Sequence, residues 1–204
     1  MTCVFGKGWR RMAKARPITG LNPQDSTGKN ARVIAKVRLE DLYSWESFVD
    51  NPYNIVELHN MRIAAKRLRY TFEVFEDALP VASKAGLKEL VQLQEELGNL
   101  HDTDVMIALL RLCLGSHDTA TIPETMHLNG NKQHAHEKSL VSAELIADLL
   151  DPTVAPSVEE RYGMEHFLRY QEQLRNKQYD AFRQHWFALQ ARDFKRQVLE
   201  ILET

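Results

Sequence analysis

The stretch Glu57–Glu76, "ELHNMRIAAKRLRYTFEVFE", carries His59, Arg62, Lys66, Arg67 and Arg69 with no acid between His59 and Tyr70. On a helix, at about 100° per residue with His59 at zero, Arg62 falls near 300°, Lys66 near 340° and Arg69 near 280°. Tyr70 and Glu73 fall beside them, at about 20° and 320°. Leu58, Met61, Ala64, Ala65, Leu68, Phe72, Phe75 and Leu79 gather between about 140° and 260° and predict the buried stripe. The cationic stripe therefore borders the core, while Arg67 falls outside it, at about 80°.

A solvated helix face is the plain reading of such a run. Solvated faces, however, usually alternate sign, because like charges at i,i+4 cost a few tenths of a kcal/mol. Arg62 and Lys66 are such a like-charged pair, and Glu73 is the stripe's one acid. A repulsive row beside a core predicts a site for an anion. Lys29, Arg32 and Lys36 form a second basic stripe at i, i+3 and i+7 on the preceding helix, which is expected to converge on the first.

Charge is distributed unevenly. Residues 1–38 hold nine Lys/Arg against Asp25 alone, although the whole chain has 26 bases and 28 acids. Positive charge is thus concentrated in an otherwise acidic molecule, which predicts a focused anion site over a broad nucleic-acid surface. Cys3 and Cys113 are too few and too far apart for a disulfide framework or a zinc site. The N-terminus has no apolar h-region and only a faint transit-peptide character, and no window reaches a membrane span. These features predict a cytoplasmic protein with no membrane partner, no cofactor and no bound metal.

The 204 residues contain nine glycines and seven prolines, which leaves long uninterrupted stretches and predicts an all-α fold. A first helix is expected over 27–49, with Ile34, Leu42, Trp45 and Val49 inward, and a second over 53–79, ending before Pro80. A third is expected over 83–98, with Leu87, Leu90, Leu93 and Leu97 on one face, and a fourth over 101–114. A loop at 115–137 and a short helix at 138–151 follow. Ser157 and Glu160 form a capping-box pair opening a helix to about 190, and a last helix covers 192–203. Residues 1–20 read as a basic arm ahead of one helical domain at 21–204. That domain divides into a first bundle at about 21–114 and a second at about 138–204.

"LHNMRIAAKRLRYTFEVF" followed by "LQEELGNLHDTDVMIALL" resembles the CHAD domain, the conserved-histidine α-helical domain, over residues 21–114. The matching positions are His59, Arg62, Lys66, Arg67 and Arg69, then Leu97, Gly98, Asp102, Asp104 and Val105. The resemblance implies two pseudo-symmetric four-helix bundles around a basic cavity that binds inorganic polyphosphate. It also implies association with polyphosphate granules and no catalytic activity. Such a polymer has about one charge per phosphate and no base edges, so its capture needs a row of guanidinium and ammonium groups. His59 can donate to a phosphate oxygen and attracts it more strongly when protonated.

The second half departs from the pattern: His166-x-x-Arg169 echoes the first motif without its Lys-Arg pair. Arg169, Arg175 and Arg183 are the candidates there, against ordinary ion pairs such as Arg161–Glu165, Arg169–Glu172 and Glu172–Arg175. Asp102 or Asp104 is expected to orient an arginine of the basic helix, and Gly98 to end the third helix or allow close approach.

Three other readings compete. A phosphohydrolase of the HD type would use His101–Asp102 with His59 and Asp148 or Asp151 on a metal, but "HDTDV" lacks the Gly and Lys that usually follow that doublet. Glu124-x-x-His127 is too little for a ferritin-like carboxylate site, and His127, His134 and His136 read as a solvated loop. Non-specific nucleic-acid binding would use Arg10, Arg11, Lys14 and Arg16 as an arm, since other polyanions share the phosphate chemistry.

Overall fold

Ser26 opens the first helix with its hydroxyl, which accepts from the Lys29 backbone N–H at 3.3 Å. The computed structural model describes residues 15–115 and 156–203. Within them lie α1 (Thr27–Tyr43), α2 (Ile55–Val74), α3 (Ser83–Cys113), α4 (Val158–Ala191) and α5 (Phe194–Ile201), with 3-10 turns at Glu46–Phe48 and Glu76–Ala78. There is no strand among the described residues, so the all-α expectation holds for them. None of the described helices is long and apolar enough to cross a membrane. The basic arm up to Lys14, Cys3, the loop at 116–137 and the helix expected at 138–151 fall outside the described residues. So do His127, His134, His136, Asp148 and Asp151.

Several boundaries move for local reasons. α1 stops at Tyr43 rather than 49, and the chain tightens into the Glu46–Phe48 turn before Asn54 donates to the Phe48 carbonyl at 3.0 Å. α2 yields to a 3-10 turn, and Leu79 is extended at ψ 156° because the residue before a proline avoids the helical region. At the start of α4 the capping box forms as expected. Ser157 N donates to Glu160 Oε2 at 2.8 Å, and Glu160 N donates to Ser157 Oγ at 3.2 Å. Asp193, at φ 58°, turns the chain from α4 into α5.

The larger correction concerns α3. The helices expected at 83–98 and 101–114 are one helix of 31 residues that passes through Gly98. Leu90, Leu93, Leu97, Leu100, Ile107 and Leu110 keep one buried stripe across the glycine. A mid-helix glycine costs about 1 kcal/mol against alanine, whereas each buried leucine contributes about 1.5–3 kcal/mol. The stripe wins.

From α1 to α4 each helix runs antiparallel to the one before it. Gly28 lies against Ala78 and Asp41 near Arg67 across α1 and α2, and His59 lies on His101 across α2 and α3. Asp104 meets Arg175, and Arg111 meets Glu172, across α3 and α4. α1 contributes Ala31, Ala35, Leu39 and Leu42 to the core, so the alanines rather than Ile34 lead its inner face. Their small side chains let α2 come close, and a Cβ at Gly28 would sit 2.7 Å from the Ala78 carbonyl oxygen. The α2 stripe is buried as predicted from Leu58 to Phe72, and Phe75 packs against its edge.

Tyr179, Phe182, Trp186 and Leu189 of α4, with Phe194 and Val198 of α5, belong to the same core. The fourth helix packed with α1, α2 and α3 is therefore the C-terminal half of α4. Tyr43 and Trp186 rings meet at 5.1 Å, and Lys195 pairs with Glu40 at 2.9 Å. Arg175 Nη2 and Tyr179 Oη donate to the Pro52 and Val49 carbonyls, each at 2.6 Å, clasping the α1–α2 connection.

Candidate functional site

His59 of α2 meets His101 of α3, so the cationic stripe that His59 begins lies along the groove between the two helices. His59 is half-buried, and its ring stacks on His101 with centroids 4.5 Å apart. His101 in turn meets Asp102 through Nδ1 at 3.1 Å. Burial, then His101 and Arg62, lower the His59 pKa from 6.5 to about 4, so the imidazole is neutral at pH 7. Its Nδ1 is buried and has no hydrogen-bond partner among the described residues. The same holds for Arg62 Nε one turn along α2 and for Gln94 Oε1 on α3. A guanidinium N–H taken from water without an acceptor is costly, and the cost persists until an acceptor arrives.

The rest of the stripe is more open. Lys66 is exposed, forms no ion pair with a described residue, and lies 5.5 Å from the centre of the Tyr70 ring. Arg69 gives Nε to Glu73 at 2.7 Å and its guanidinium carbon lies 5.9 Å from the same ring. Arg67 lies off the stripe, as its angle on the helical wheel predicted, and points to the α1 side, 3.9 Å from Asp41.

The convergence expected of the α1 stripe does not occur. Lys29 pairs with Asp25 at 2.9 Å and Lys36 reaches Glu203 at 3.4 Å, on the flank of α1 that faces the C-terminal residues. Asp41, which approaches Arg67, marks the opposite flank as the one facing α2. Arg32 keeps a buried, unpartnered Nε on α1. Lys29 and Lys36 are seven positions apart, so the stripe holds together but looks away from α2.

In α4 the candidates separate. Arg175 is buried, with Nε 2.5 Å from Asp104 Oδ1, so its guanidinium is committed to the fold. Arg183 pairs with Asp50 at 2.6 Å, and Arg169 is exposed on the N-terminal half of α4. Glu172 joins Arg111 at 2.7 Å rather than Arg169 or Arg175, which corrects two of the expected helix pairs, while Arg161 and Glu165 lie 4.0 Å apart. The expectation that Asp102 or Asp104 orients a basic-helix arginine is also corrected. Asp104 serves α4, Asp102 meets His101, and the carboxylate beside the basic helix is Asp41. Among the described residues no group of His, Cys, Asp and Glu has the arrangement of a metal site.

The family model of the CHAD domain matches residues 7–111, half of the chain. The chain belongs to the CHAD family. No curated protein and no solved structure matches it. The matched stretch ends within α3, so α4 and α5 complete the CHAD core from outside it. Of the groove's polar residues, sequence reasoning missed Gln94 and the stacking role of His101. Both lie on the α3 edge that faces His59, seven positions apart, a spacing that returns to the same helix face.

The depressed His59 pKa has a measurable consequence. The unfolded histidine, near 6.5, takes up a proton before the folded one, near 4. The neutral-state stability is therefore complete above pH 6.5 and is lost as pH falls toward 4. We expect wild type to lose on the order of 1–2 kcal/mol more than His59→Gln between neutral and acid urea titrations, after allowance for partial exposure. Equal acid losses in the two proteins would place His59 in water.

Proposed function

We propose that this CHAD domain binds inorganic polyphosphate, without transforming it, in the groove formed by α2 and α3. The observation that carries the reading is the Arg62 guanidinium, whose Nε is buried without an acceptor among the described residues, beside the exposed Lys66. Phosphate oxygens supply what is missing there. A guanidinium takes them through directed N–H bonds and an ammonium adds a point charge. His59 and Arg62 form the inner contacts, with Lys66 and Arg69 at the mouth, while Arg32, Arg169 and Arg183 are outlying cations along a longer chain. We also infer a cytoplasmic location on polyphosphate granules, and the two-bundle arrangement that the family resemblance implies.

One observation favours a second reading. Tyr70 is exposed and flanked by Lys66 and Arg69, an arrangement on which a nucleic-acid base could stack. Affinity for long-chain polyphosphate across a salt series, with single-stranded RNA as competitor, separates the two. Three or four engaged cations give a log–log slope of about −2 to −3, at ~0.7 per phosphate neutralised. RNA should compete weakly. A flat slope, or equal competition by RNA, would overturn the polyphosphate reading.

A further inference from the structure

Gln94, Gly98 and His101 stand at i, i+4 and i+7 on α3, along the edge from which His101 stacks on His59. Two other helical glycines sit against neighbouring elements. A Cβ at Gly86 would meet Val198 and Phe72 at 3.6 and 3.8 Å, and one at Gly28 would meet the Ala78 carbonyl. Gly98 differs from both. It is half-buried, yet a Cβ built there meets no atom within 4 Å, and the helix runs through it without a break. It therefore provides neither close helix approach nor termination, in a position where glycine is disfavoured. What it does leave is empty space on the groove edge. Around that groove His59 Nδ1, Arg62 Nε and Gln94 Oε1 are buried and have no partner among the described residues.

We propose that Gly98 is a specificity-determining residue of the α2–α3 groove, its missing side chain being the opening that admits an unbranched phosphate chain to Arg62 and His59. The inference rests on the polyphosphate reading above and deepens it. A linear phosphate chain is narrow along its whole length, whereas a nucleic-acid strand carries a sugar and a base on every phosphate. An aperture one side chain wide passes the first and stops the second. RNA is then confined to the outer face around Lys66, Tyr70 and Arg69.

The test is a size series at Gly98 (alanine, leucine, phenylalanine) beside Gly163→Leu. Gly163 is an exposed α4 glycine whose Cβ would also meet nothing within 4 Å, away from the groove. Gly98→Ala should raise the thermal midpoint by roughly 2–4 °C, because the helix gains and nothing is displaced. Affinity for long-chain polyphosphate should fall with side-chain volume, by about tenfold or more at leucine, as a steric block predicts. The salt slope should become shallower as the inner cations disengage. RNA affinity, and both affinities of Gly163→Leu, should not move.

Polyphosphate binding by Gly98→Leu equal to wild type overturns the proposal, as does a loss matched by RNA or by Gly163→Leu. If the larger variants fail to fold, Gly98→Ala decides: a raised midpoint with a measurable loss of polyphosphate affinity supports the aperture, and unchanged affinity overturns it. Arg62→Ala/Lys66→Ala is run alongside. If that variant also binds like wild type, the site reading has failed; if it alone loses affinity, only the role of Gly98 has.

Discussion

Replacing Arg62 and Lys66 together by alanine is expected to lower the affinity for long-chain polyphosphate by about 100-fold at ~0.1 M salt, the loss of two charge-assisted contacts at ~1.4 kcal/mol each. Arg62 has the larger share, because its Nε is already out of water and without an acceptor, so a phosphate oxygen brings a bond at little further desolvation. The log–log salt slope should become shallower by about 1.4, two charges at ~0.7 each. Stability should hold or rise, since the substitution removes a like-charged i,i+4 pair. That combination separates a binding defect from a folding defect. Unchanged affinity in a folded double variant would reduce the stripe to a charged helix face.

The second large effect lies away from the groove. Asp104→Ala is expected to cost about 3–5 kcal/mol, a large part of the ~5–15 kcal/mol that holds a typical domain together, because it strands the buried Arg175. Burial pushes the Asp104 carboxyl up, and the Arg175 hydrogen bond pulls it down. The pair is held by geometry as much as by attraction. Arg175 also donates to the Pro52 carbonyl, so losing its orientation loosens the connection between α1 and α2. Asp104→Leu/Arg175→Met, with no charge left to strand, should recover most of the loss. Urea midpoints of the three proteins decide the matter. A single variant as stable as wild type would mean that Arg175 finds water or another acceptor, and would return it to the ligand candidates.

Much of this was legible before any coordinates. The core stripe of α2, its neighbouring cations and the placement of Arg67 off their stripe follow from the 3.6-residue period, because that period fixes angles within one helix. The capping box at Ser157 is equally local. Relations between helices were not legible. Asp104 and Arg175 are 71 residues apart, and nothing in either local sequence states their register. The α1 stripe was correctly grouped and wrongly aimed, because the side of α1 facing α2 is decided by alanines, whose signal in a hydropathy pattern is weak. Gly98 looked like punctuation, yet a glycine inside a continuous leucine stripe is outvoted by the burial on either side.

That α4 returns to fill the gap beside α1 has a consequence for how the protein is made. When the ribosome has translated α1 to α3, the leucines that later meet Tyr179, Phe182 and Trp186 still lack their cover. The nascent domain stays open until residues 179–202 have emerged. The stretch that identifies the family, residues 7–111, is thus shorter than the unit that folds. Early release of the chain would leave a greasy fragment in search of a partner.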